Sequence, residues 1–164
     1  MSKFLPGERT SIYFHKACEM HNIEKHPEQP NRVKYILRAL RRAFPAIGLY
    51  KESPLVTDEQ VLRFHTPHMW DDLKALSGKA KATNKVQMID SDTKIMQHSM
   101  EAIMRSAGSL IAAVDAAYSP GVAGVAEGTL QRAFCCVRPP GHHAERHKAM
   151  GFCCLPYIDS CMCW

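Results

Sequence analysis

The stretch Ala133-Phe-Cys-Cys-Val137, running directly into Arg138-Pro-Pro-Gly-His-His-Ala-Glu-Arg-His-Lys-Ala-Met-Gly-Phe-Cys153, decides the architecture. A continuous apolar run of this kind reads as a strand buried on both faces, the habit of strands in parallel sheets. Pro139 and Pro140 stiffen its exit, and Gly141 permits a turn. Working back along the chain, Ser11-Ile-Tyr-Phe-His15 is a short β-prone run and the expected first strand. Residues 16–30 are polar, contain Pro27 and Pro30, and read as a loop. Asn31 stands where it can cap a helix over 31–44, with Val33, Ile36, Leu37, Leu40 and Phe44 on one face and Arg38, Arg41 and Arg42 largely outward. Thr57 with Gln60 has the form of a capping box, and Thr66-Pro67 opens a helix carrying Trp70, Leu73 and Leu76. Gly78 to Lys85 reads as a polar loop. A long helix is expected from about Gln97 to Tyr118, with alanines and Gly108 suited to close packing, and Pro120 to Gly128 reads as a loop. Strands alternating with helices give an α/β fold with a parallel sheet.

The 164 residues suit one ordinary domain. A hydrophobic fraction of 46% and a charged fraction of 23% exclude wholesale disorder. The formal charge of +5 is scattered and does not point to direct nucleic-acid binding. The first fourteen residues lack the apolar core of a secretory signal, and runs such as Leu110 to Val114 fall far short of the ~20 residues that span a bilayer. The chain therefore reads as soluble and intracellular, nuclear or cytoplasmic, with no membrane partner. Its seven cysteines include two adjacent pairs and no C-x-x-C, which suits reduced core residues. Cys161-Met-Cys-Trp164 has the outline of a prenylation box, with a poor last residue.

Chemistry concentrates after the apolar run, because sites in open α/β sheets lie at the carboxyl ends of strands. His142 and His143 leave a rigid segment together, with side chains expected to point in different directions. They suit a proton-transferring pair, since imidazole takes and returns a proton near neutrality. The alternative is that one of the two is an ordinary loop histidine. No G-x-S-x-G, H-E-x-x-H or phosphate-loop motif occurs. Cys18 with His21, and Cys161 with Cys163, are fragments of metal sites, and a small module using Cys153, Cys154, Cys161 and Cys163 is a further alternative.

The sixteen-residue run RPPGHHAERHKAMGFC closely resembles the active-site loop of the zinc-dependent histone deacetylase superfamily, nearer its class II and bacterial branch. His26-Pro-Glu-Gln-Pro-Asn-Arg32 resembles that family's H-P-E-x-P-x-R element, and Asp90-Ser-Asp-Thr93 its D-x-D-T segment. The resemblance spans about residues 10–153. It implies an arginase-deacetylase type of parallel sheet flanked by helices, and hydrolysis of acetyl-lysine amides on histones or other acylated amines. By the same resemblance His143 is the general base and acid and His142 its electrostatic partner. Gly151 and Phe152 line the acyl-lysine tunnel, Asp92 lies near the rim, and Arg32 sits by the internal cavity where acetate leaves.

The family continues past Gly-Phe-Cys into an Asn-containing helix and an Asp-x-His pair of zinc ligands, with a second ligand Asp and a Tyr much later. Here Cys153 is followed by CLPYIDSCMCW, and none of the seven Asp residues has His two positions on. The expectation is that residues 1–153 form the N-terminal part of a deacetylase domain and 154–164 an unrelated tail. The sheet is then cut off after its early strands, no residue is assigned to zinc, the chain is inactive alone, and a protein partner covers the exposed sheet.

Overall fold

The computed structural model describes residues 10–45, 50–118 and 132–156. Strand β1 (Thr10–Phe14) is central, with β2 (Tyr50–Glu52) on one side and β5 (Arg132–Cys135) on the other, both parallel to it. The register sets Ile12 opposite Tyr50 and Phe134. Between β1 and β2 lie α1 (Ala17–Met20) and α2 (Asn31–Ala43); α3 (Asp58–Leu62) and α4 (Pro67–Thr83) follow β2. A two-residue antiparallel ladder, β3 (Gln87–Met88) with β4 (Lys94–Ile95), leads into α5 (Ser99–Tyr118).

The alternation of side chains along β1 assigns the layers. Ile12 packs with Val33, Leu37 and Cys136, which places α2 on one face. Tyr13 points the other way and donates its hydroxyl to the Ala112 carbonyl, which places α5 on the opposite face. Cys135 and Cys136 repeat the division, one thiol reaching Ser109 O and the next Val33 O. A larger core joins Val61, Trp70, Leu73, Ile95, Ile103, Ala107 and Ile111, and it includes Cys154 and Leu155 from beyond the histidine loop. Gly108 lets the backbone of residues 54–56 lie on α5: a β-carbon there would stand 2.2 Å from the Pro54 carbonyl oxygen.

The parallel α/β reading holds, as do the capping box at Thr57 and Pro67 at the first position of α4. Four local expectations are corrected. The segment 16–30 contains α1, because Ala17 and Cys18 bury against α5. Helix α2 is capped by Pro30 without a side-chain bond, so its amphipathic face holds it rather than Asn31. Helix α4 runs through Gly78 to Thr83, kept regular by the buried Ala80 and stopped by Asn84 in the left-handed conformation at φ 51°. Finally, β5 is not buried on both faces. Among the described residues it pairs with β1 alone, Phe134 is 43% exposed, and burial resumes at Cys136. The expected loop 120–128, most of the 154–164 tail, and Cys161 with Cys163 lie outside the described residues.

Candidate functional site

Arg138 follows β5 and is the most elaborately held side chain at this end of the sheet, 2% exposed. Its Nε donates to Glu28 Oε1 at 2.8 Å and its Nη2 to Glu28 Oε2 at 2.7 Å, a bidentate pair. Nη1 donates to the carbonyls of Cys18 (2.6 Å) and His21, and Nη2 also to Glu28 O at 3.2 Å. The Arg138 carbonyl in turn accepts from the buried Ser106 hydroxyl at 2.6 Å. One guanidinium thereby ties the 18–28 segment to the root of the histidine loop. His21 lies within this cluster, its Nδ1 2.7 Å from Ser99 Oγ and its Nε2 4.0 Å from Glu28 Oε2. Burial, then the charges of Arg138 and His26, push its pKa down to about 3, so it stays neutral.

From that anchor the chain passes through a cis Arg138–Pro139 bond to His142 and His143. Both imidazoles are exposed, and their rings lie against each other with centroids 4.3 Å apart, tilted by 54°. They therefore do not diverge as an extended backbone would make them. Two short antiparallel bridges, Glu145–Lys148 and Met150–Cys153, fold the rest of the loop back. The second turn has both central residues left-handed, Gly151 at φ 59° and Phe152 at φ 68°. For an aromatic residue that conformation costs about 1–2 kcal/mol. At Gly151 there is no room for a side chain either: a β-carbon would lie 2.8 Å from His143 Cβ and 2.9 Å from its ring. The turn thus lays bare backbone against the His143 side chain.

Phe152 meets His26 edge-on, centroids 4.6 Å apart at 78°. Its amide donates to Thr93 Oγ1 at 3.1 Å. His26 Nε2 donates to Asp92 O at 3.0 Å, which leaves Nδ1 to accept from the Glu28 amide at 3.2 Å. Asp90 caps its own loop, one carboxylate oxygen accepting from the amides of Asp92 (3.0 Å) and Thr93 (2.6 Å). Desolvation alone would raise the Asp90 pKa, but these bonds outweigh it and hold the carboxyl below its ordinary value.

The structure therefore brings Asp92, Gly151, Phe152 and His143 into one connected region, with Asp92 itself exposed. Arg32 stands apart on the first turn of α2, its side chain 61% exposed and its Nη1 3.9 Å from Glu28 Oε1. Arg138 with Glu28, and Thr93 and His26 with Phe152, are structural partners that the motifs themselves do not pair. An arginine just after an apolar strand, with a glutamate on a proline-rich loop, was the available signal. Cys18, Cys136, Cys153 and Cys154 are buried free thiols, and Cys135 is partly buried. Burial pushes Cys136 up to about 11. Among the described residues no group of three His, Cys, Asp or Glu is arranged to hold a metal ion, so those residues do not fit a zinc site.

The sequence matches the histone deacetylase domain family over residues 26–158. It is 33% identical over 137 residues to Histone deacetylase 5 of Arabidopsis thaliana, covering 79% of this chain and 19% of that protein. It is 30% identical over 166 residues to the Histone deacetylase-like amidohydrolase of Pseudomonas aeruginosa, covering 88% and 40% respectively. Among solved structures, the crystal structure of the HDA15 HD domain superposes with a TM-score of 0.79 at 26% identity, covering 93% of this chain and 41% of that one. The chain thus spans between about a fifth and two fifths of these relatives.

Proposed function

This chain belongs to the histone deacetylase family, and from that premise we propose that it supplies the proton-handling and tunnel-wall part of a site for acetylated lysine side chains. His143 is the group that takes and returns the proton, and His142 is its electrostatic partner. Gly151 and Phe152 form the wall along the aliphatic stem of the substrate, Asp92 belongs to the rim, and Arg32 to the side from which acetate leaves. The observation that carries this reading is the close seating of Gly151 on His143. A wall without a side chain lets the loop backbone pack directly against the side chain of an exposed imidazole, which fixes the base beside that wall.

The family is zinc-dependent, and the described residues offer no three-ligand set. In this reading they supply proton transfer and the wall beside the base. General acid–base catalysis contributes typically ~10²–10⁴-fold, far below what amide hydrolysis requires. The 164 residues by themselves are therefore expected to leave acetyl-lysine peptides intact. The test is purified chain with saturating zinc and an acetyl-lysine peptide, beside His143→Ala. Turnover that vanishes in the variant would show that the chain assembles a complete site, and would refute a partial one.

A second reading, an interaction fragment that docks on another polypeptide, is favoured by the pairing of β5 with β1 alone among the described residues and by the exposed Phe134. It calls for stable association with a protein partner and no turnover.

A further inference from the structure

Phe152 combines a large side chain with a left-handed backbone, so the fold must over-determine it. Groups from outside its own turn hold it. The His26 ring packs edge-on against the phenyl ring, and the Thr93 hydroxyl accepts the Phe152 amide. Thr93 is buried, and its hydroxyl also donates to Asp92 Oδ1 at 3.2 Å. The single hydroxyl proton and the accepting oxygen are both used. The Thr93 backbone cannot drift, because Asp90 Oδ1 holds its amide and the Thr93 carbonyl accepts from the amides of Ile89 and Asp90. His26 completes a ring of contacts by donating to the Asp92 carbonyl.

We propose that Thr93 is a positioning residue whose hydroxyl locks the Phe152 turn to the Asp92 loop, so that the aromatic wall and the rim carboxylate are set by one group. Its importance for substrate recognition rests on the reading of Phe152 as the tunnel wall and Asp92 as the rim. The coupling itself is a property of the chain without substrate. Asp92 and Phe152 are 60 residues apart in sequence, and the Thr93 hydroxyl bonds to both. A valine there keeps the volume and removes both bonds, while a serine keeps both.

The experiment is amide hydrogen exchange by NMR on the full chain, comparing wild type, Thr93→Val and Thr93→Ser. The amides of Met150 and Cys153, bonded to each other's carbonyls across the same turn, serve as the reference. Thr93→Val should lower Phe152 protection about tenfold relative to that pair, the scale of one lost hydrogen bond. It should also move the His26 ring resonances as the phenyl edge shifts. Thr93→Ser should restore both. Unchanged Phe152 protection, an equal loss at every amide, or failure of serine to restore it would each overturn the proposal. No substrate enters the measurement, so a wrong assignment of the tunnel leaves these outcomes intact and shows itself only in binding or turnover.

Discussion

Replacing Arg138 by methionine keeps most of the side-chain volume and removes the charge that neutralises Glu28, whose side chain is 2% exposed. Losing one partner of a buried pair costs about 3–5 kcal/mol, because the remaining charge is left without compensation. The carbonyls of Cys18 and His21 lose their donor as well. Arg32 Nη1, 3.9 Å from Glu28 Oε1, softens the loss, but its side chain is mostly in water. We therefore expect Arg138→Met to cost about 3–4 kcal/mol, a large share of the ~5–15 kcal/mol that holds a domain together. Glu28→Gln removes the stranded charge, so the double variant Arg138→Met/Glu28→Gln should be more stable than Arg138→Met alone by at least ~1 kcal/mol. Urea unfolding of the four members of the cycle, with m-values compared to confirm that the folded states are alike, measures this directly. A cost below ~1 kcal/mol for Arg138→Met, or a double variant no better than the single, would refute the claim that this pair anchors the histidine loop.

Gly151→Ala should destabilise the chain by about 1–3 kcal/mol, from its left-handed backbone and its contact with His143. Gly78→Ala, at a helical position with nothing within 4 Å, should instead stabilise by about 0.5–1 kcal/mol; equal effects in urea would mean that Gly151 is not seated on His143. His21 titrates near 6.5 when unfolded but only at about 3 when folded. The unfolded chain therefore binds the extra proton between those values. The stability His21 contributes is complete above pH ~6.5 and falls, by up to about 1.4 kcal/mol per pH unit, as the pH drops toward 3. His21→Gln should flatten that part of the pH profile of urea midpoints, and parallel profiles would contradict the assignment.

The parallel sheet was legible because strand and helix periods alternate clearly, and the layers follow from Ile12 and Tyr13 pointing to opposite faces. Burial of β5 was misjudged because an apolar run reports what a strand is suited to cover, not how many neighbours it has. Gly78 suggested a loop because glycine is a poor helix former, yet the packing of Ala80 outweighs that preference. The histidine pair and the Gly-Phe turn could be found from their motif. The partners that hold them could not, since Glu28–Arg138 and Thr93–Phe152 join segments 110 and 59 residues apart. Such pairings are set by how distant loops pack together, and no local pattern tells which residue meets which.

The most direct test of the proposed role is a graft. Residues 138–153 of this chain replace the matching segment of the Pseudomonas aeruginosa amidohydrolase, and hydrolysis of an acetyl-lysine peptide is followed. The role assigned to His143 predicts turnover within about tenfold of the parent, and a loss of about 10²–10⁴-fold in kcat on His143→Ala within the graft. A folded graft that is inactive with His143 present, or one that keeps its activity when His143 is removed, would contradict it.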